Sequence, residues 1–358
     1  MTVGLLGLLA LVFLSSFGLT RLLCSPASRL YLLDYPNERS LHAEPLPRTG
    51  GLAIFGGVLL GIIVCVALGE GAVFQANAIL WILGMALPIS AVSFWDDRAG
   101  LSPVLRLGIQ ALAAAGVVWG AGLTVTDISV PFIGGLSLGW LAVPVTILFL
   151  MWVTNLYNFM DGMDGFAGGM TVLGYGVLGF MAWTGDHYLM GLAILVATAA
   201  GGFLLYNLPP ARIFMGDVGS VPLGFIAAAL AVLGTRDGLF DIWIPLLIFS
   251  PFIVDATATL IRRLLKGERV WRAHREHYYQ RLVLAGWGHR RTVLAEYVLM
   301  LVCGVTAVVY GQAGEPLRLT ILLGWVGIYL VLAWGVRWVE RQARAVEAAG
   351  CETLRLPP

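Results

Sequence analysis

Eleven stretches of about 20 predominantly apolar residues dominate this chain, and each is long enough to cross a bilayer as a helix. They lie near 3–23, 49–69, 76–95, 104–123, 139–157, 166–184, 188–208, 219–235, 242–264, 293–311 and 318–338. Inside lipid every backbone N–H and C=O must be paired within the protein, which leaves helices as the economical form for such runs. The expected fold is therefore an all-α polytopic membrane protein with about 11 transmembrane helices. Composition agrees, because only 12% of the 358 residues are charged and 59% are hydrophobic. A soluble globular domain carries about 25% charged residues. Disorder is excluded by the same numbers. The four cysteines, at 24, 65, 303 and 351, fall in spans or inner segments and make no disulfide framework. The first span lacks a basic leader and reads as retained.

Lys and Arg give the orientation. Of the 22 basic residues, all but Arg236 and Arg318 lie in alternate connections or the C-terminal tail, span ends included. This predicts an outer, periplasmic N-terminus and a cytoplasmic C-terminus. One integral-membrane domain is expected over 1–358, with a long basic loop at 265–292 and a tail at 339–358. Gly57/Gly61 and Gly116/Gly120 have the small-xxx-small spacing that lets helices pack closely.

The outer connections carry no chemical motif, and 124–138 reads as a short hairpin. The inner connections are different. The first, DYPNERSLHAEPLPRTGG, offers Arg39, His42 and Arg48 for phosphate contact. The second places Asp96 and Asp97 side by side, and adjacent carboxylates need a cation, a proton or full solvation. The third, NLYNFMDGMDGFAGG, spaces Asn155/Asn158 and Asp161/Asp164 three apart, so that on a helix end each pair would share a face. The fourth sets Asp217 in a Gly-Asp-x-Gly-Ser turn that can offer a carboxylate to a cation while Ser220 meets phosphate. The fifth carries nine Lys/Arg between Arg262 and Arg291, with His274, His277 and Arg281 on one side of an expected helix. Asp255, inside the ninth span and seven residues before Arg262, needs a partner at that depth. Carboxylates for a divalent cation and Arg/His groups for phosphates thus share one face above an apolar bundle. Such a face suits phosphoryl transfer between a soluble phosphorylated donor and a lipid.

The five motifs, in this order, resemble the polyprenyl-phosphate N-acetylhexosamine-1-phosphate transferase family. The resemblance implies transfer of an N-acetylamino-sugar-1-phosphate from a UDP-sugar to undecaprenyl phosphate, with release of UMP, at an active-site cleft on the cytoplasmic face of the bacterial inner membrane. Mg2+ is the implied cofactor, with Mn2+ a substitute. By the same resemblance Asp217 and Asn158 hold the metal, and Asp96, Asp97, Asp161, Asp164, His274 and His277 do the chemistry. Asn155, Asn158, Arg39, His42, Arg48, Arg106 and Arg281 bind substrate. Val104 stands where many relatives have a basic residue, and Tyr279-Gln280 stand where many have further histidines. The latter departure argues against the muramoyl-pentapeptide donor and for UDP-GlcNAc or a deoxy sugar such as UDP-FucNAc or UDP-QuiNAc, and hence for O-antigen or a related envelope glycan. The bilayer and a homodimer are the implied partners, and nucleic acid is not one. A transporter is the competing class, but transporters gather polar groups near the midplane.

Overall fold

The computed structural model describes residues 3–36, 40–74, 76–183, 185, 187–269 and 274–353, so Arg39 lies outside the described residues. The helices are α1 (Val3–Leu23), α2 (Gly50–Ala67), α3 (Asn77–Ala99), α4 (Pro103–Gly120), α5 (Ala142–Phe159), α6 (Phe166–Met181) and α7 (His187–Asn207). They continue as α8 (Asp217–Arg236), α9 (Trp243–Ile248), α10 (Ser250–Leu265), α11 (Tyr278–Leu282), α12 (Gly288–Gln312) and α13 (Glu315–Thr353). Among the described residues, two short antiparallel pairs accompany them: β1 (Leu33–Asp34) with β2 (Leu46–Pro47), and β3 (Asp127–Val130) with β4 (Gly134–Ser137). The second pair is the hairpin expected at 124–138.

Nine helical stretches among the described residues are long and apolar enough to cross a membrane. Large apolar side chains such as Leu59, Leu87, Leu112 and Leu330 face outward, where water would be costly and lipid is not. The protein is an all-α multi-pass membrane protein.

Helix α8 is the hub. Its most apolar window is 94% buried, and it packs against α2, α3 and α5. Small residues make this possible. A side chain at Gly219 would strike the backbone of Gly51 on α2, and one at Gly224 would meet Tyr157 Cβ at 2.6 Å on α5. Close backbone approach of this kind is the means by which helices associate in lipid. Gly57 and Gly61 similarly admit α1 and α7, and Gly116 and Gly120 admit Met85 and Trp81 of α3.

Two expectations are corrected. The ninth apolar stretch is broken at Phe249, where α9 ends and α10 begins; Pro251 in the first turn of α10 has no N–H to continue the helix behind it. The sixth is only a 16-residue helix. The start of the 339–358 tail, through Thr353, is the end of α13.

Polar contacts between elements sort into two ends. At one, Arg236 donates to Ala121 O (2.7 Å), Trp243 Nε1 to Ser129 O (2.6 Å), and Arg318 pairs with Asp241 (3.3 Å). At the other, the motif-bearing connections meet one another.

Candidate active site

The site is built around the N-terminus of α8. Gly216 precedes it with φ +73°, lying against the Arg48 carbonyl where a side chain has no room. The approach to α8 is zipped to the start of α2: Phe214 N donates to Pro47 O (2.7 Å), and Gly50 N and Gly51 N donate to Phe214 O and Met215 O (2.9 Å each). This register puts Arg48 beside the end of α3. Its guanidinium donates to the Asp97 carbonyl and lies 3.4 Å from Asp97 Oδ1 and 3.6 Å from Asp34 Oδ1. The other Asp97 oxygen accepts from Val218 N at 3.2 Å. A carboxylate there meets both an orphan donor and the positive end of the helix dipole.

Helix α3 ends at Gly100 (φ +66°), the left-handed cap that glycine supplies without strain. Ser102 Oγ then accepts from Leu105 N (3.3 Å) and starts α4, with Pro103 in its first turn. This tight reversal returns Arg106 toward α3. Arg106 Nη1 is 2.7 Å from Asp96 Oδ2 and 3.6 Å from Asp217 Oδ2, while Asp96 Oδ1 accepts from Leu101 N at 2.6 Å. Both Asp96 oxygens are thereby used in holding Arg106 and the α3–α4 turn.

Asn158, at the end of α5, donates to Asp217 Oδ1 (2.8 Å) and Ser220 Oγ (3.0 Å). Asp217 is the first residue of α8 and does not sit in a free turn, and Ser220 is fully buried behind it. The expectation that Ser220 meets phosphate is therefore corrected: it orients Asn158. Asn155 points elsewhere, to Gln110 Oε1 (2.6 Å) and Met151 O (2.7 Å).

Asp161 and Asp164 lie in the loop after α5, not on a helix, and they part company. Burial, then the charges of Asp217 and Asp97, push the Asp161 carboxyl up to about 8, against a partial offset from the Gly216 N–H. Asp164 is turned away. Its Oδ2 accepts from Ala211 N (3.0 Å), and its Oδ1 lies 3.0 Å from His289 Nδ1 on α12. It braces the segment leading to Asp217.

The histidines are not on one helix, since 274–276 are irregular and His277 precedes α11. Their rings nevertheless lie 4.8 Å apart. Burial, then His277 and the nearby Arg263 and Arg262, push His274 down to about 4, so it is neutral at physiological pH. Arg281 does not join them: it is bound bidentately by Glu340 of α13 at 2.7 and 2.5 Å. Asp255 is paired with His277 (3.2 Å) and not with Arg262, which takes Glu276 (3.2 Å). His42 lies 3.7 Å from Asp34 and packs on Phe214.

Asp34, Gln110 and His289 were not singled out by sequence reasoning. Asp34 opens the first inner motif and was within its reach. Gln110 and His289 carry no local signal, because their partners are 45 and 125 residues away in the chain.

Among the described residues, five carboxyl groups (Asp34, Asp96, Asp97, Asp161, Asp217) thus gather around the guanidiniums of Arg48 and Arg106. The surplus repel one another unless protonated or joined by a cation. Among the described residues no three Asp, Glu, His or Cys side chains close on a point as a complete metal cage. Mg2+ does not require one, since it is held by one or two carboxylates together with substrate phosphates and water. The oxygen donors of Asp217, Asp97 and Asn158 fit that ion.

Residues 79–235 match Glycosyl transferase family 4. The chain is 35% identical over 300 residues to a probable undecaprenyl-phosphate N-acetylglucosaminyl 1-phosphate transferase of Bacillus subtilis (strain 168), covering 83% of this chain and 82% of that one. It is 31% identical over 301 residues to a decaprenyl-phosphate N-acetylglucosaminephosphotransferase of Mycobacterium leprae (strain TN), covering 76% and 75%. A phospho-N-acetylmuramoyl-pentapeptide-transferase of Shouchella clausii (strain KSM-K16) is 29% identical over 284 residues, covering 74% and 83%. With this likeness across most of its length, the chain belongs to the polyprenyl-phosphate N-acetylglucosamine-1-phosphate transferase family.

Proposed function

We propose that this protein transfers N-acetylglucosamine-1-phosphate from UDP-GlcNAc to undecaprenyl phosphate on the cytoplasmic face of a bacterial inner membrane. The product begins an envelope glycan such as O-antigen. The observation that carries this reading is the interleaving of Arg48 and Arg106 with Asp34, Asp97, Asp96 and Asp217 at the N-terminus of α8. The names of the more similar relatives favour a GlcNAc donor over a muramoyl-pentapeptide or deoxy sugar.

In the reaction an oxygen of the lipid phosphate attacks the β-phosphorus of the UDP-sugar. A new P–O bond forms, the bond from that phosphorus to the bridging oxygen of UMP breaks, and UMP leaves with the electron pair. No proton need be removed from a lipid phosphate already ionised. Asp96 accordingly positions Arg106, whose guanidinium draws negative charge from the transferring group. Arg48 does the same from the Asp97 side. His274 accepts from Glu276 N at Nδ1 (3.3 Å), so its proton is on Nε2, ready to donate to a phosphate oxygen. Mg2+ bound by Asp217, Asp97 and the Asn158 carbonyl oxygen would neutralise diphosphate oxygens.

The same reading includes a single integral-membrane domain and eleven crossings with the N-terminus outside. In a cysteine-free background, Gly135→Cys should label from outside and Lys266→Cys only after permeabilisation; the reverse pattern would invert the topology. The chemistry is tested by UMP release from UDP-GlcNAc by purified protein, with and without undecaprenyl phosphate.

A further inference from the structure

We propose that Asp255 is a positioning residue that fixes the ring proton of His277 on Nδ1 and so turns a bare Nε2 acceptor toward the transfer site. Asp255 is 8% exposed on α10, and its carboxylate meets four donors. Oδ1 accepts from Tyr278 N (2.9 Å) and Thr259 Oγ1 (3.2 Å) and lies 3.2 Å from His277 Nδ1, while Oδ2 accepts from Tyr279 N at 3.1 Å. A carboxylate facing Nδ1 is served only by a proton on that nitrogen, which leaves the lone pair on Nε2.

The rest of the setting locks the ring where it stands. Tyr279 is fully buried, and its hydroxyl reaches Phe159 O (3.3 Å). Phe159 stacks on the His277 ring at 6.5 Å between centroids. His277 N donates to Gln280 Oε1 (3.3 Å), tying the turn to α11. The ring is thus held against the loop that carries Asp161, two residues beyond Phe159. The neighbouring His274 presents the opposite tautomer, a donor at Nε2. The two histidines form a matched donor and acceptor 4.8 Å apart between ring centres. A donor there suits a phosphate oxygen. An acceptor suits an N–H or O–H group, which a phosphate diester lacks and a sugar or uracil supplies. Thus His277 reads a protic group of the donor while His274 reads its phosphate.

This inference rests on the transferase reading, but the position of the ring proton is measurable with no substrate present. In histidine-labelled wild-type protein, the 15N spectrum should contain, besides that of His289, whose Nδ1 also faces a carboxylate, a ring protonated on Nδ1 alone that disappears in His277→Asn. A His277 ring protonated on Nε2, with or without Nδ1, would overturn the assignment. The functional test is a double-mutant cycle. Asp255→Asn has one oxygen for three N–H partners, so it should lower kcat about 10- to 100-fold, the usual loss when an orienting partner is removed. His277→Asn keeps a donor toward Asp255 but has no Nε2. If Asp255 acts through that atom, Asp255→Asn adds almost nothing on top of His277→Asn. If Asp255 only caps α11, the two losses multiply, and the proposal fails.

Discussion

Replacing Arg48 with Met removes the cation that stands between Asp34 and Asp97 while keeping a side chain of similar length. The Asp97 side chain is 2% exposed and that of Arg48 24%. Breaking one side of a fully buried ion pair costs about 3–5 kcal/mol. Water reaching Arg48 screens part of this, so about 2–3 kcal/mol is expected here. If the same misplacement is felt in the transition state, turnover falls about 30- to 150-fold. Arg48→Lys should fall between, because a single ammonium cannot serve the Asp97 carbonyl, its carboxylate and Asp34 together. The assays are thermal unfolding in detergent and UMP release. Without divalent cation the Met variant should unfold at a lower temperature than wild type. Added Mg2+ should recover more stability in the variant, because its carboxylates have lost their counter-charge. A metal-free variant as stable as wild type would refute the reasoning.

The other predictions concern neighbouring groups. Asn158→Ala loses the 2.8 Å bond to Asp217, and Asn158→Asp adds a like charge there; activity and unfolding temperature should fall in both, further in Asp. Asp161 has a raised folded pKa of about 8, so its contribution to stability is full below the ordinary carboxylate pKa and fades as pH rises through 8; Asp161→Asn should flatten that alkaline loss in metal-free unfolding curves. His274 has a lowered pKa of about 4, so its contribution is present above 6.5 and is lost as pH falls toward 4; His274→Gln should remove that acid slope. Gly219→Ala drives a methyl into the Gly51 backbone, and membrane-inserted, folded protein should fall sharply on size-exclusion analysis.

What could be read from the sequence followed from local rules. Apolar length located the helical stretches, and clustering of charge located the motif-bearing end. Asp96, Asp97, Asp217 and Asn158 stood out because carboxylates and amides beside hydrocarbon are costly without a task. What escaped was tertiary. In sequence, helix α8 is one apolar stretch among eleven, and only the packing shows that its Gly and Ala are why it is buried at the centre. Helical spacing of three joined Asp161 to Asp164, and of four His277 to Arg281, but the irregular loop and the docking of α13 separate both pairs. Asp255 was paired in sequence with Arg262 two turns along its own helix, whereas its partner lies across the fold, 22 residues on.

The central claim is that the cluster at the start of α8 transfers a sugar phosphate to a lipid phosphate. The most direct measurement is product mass together with UMP release, for wild type and Asp217→Asn, with UDP-GlcNAc, undecaprenyl phosphate and Mg2+. Wild type should give a lipid diphosphate-GlcNAc and equimolar UMP, with none formed without the lipid, and folded Asp217→Asn should not turn over. No UMP from wild type with all three present, or full activity in Asp217→Asn, would contradict that claim.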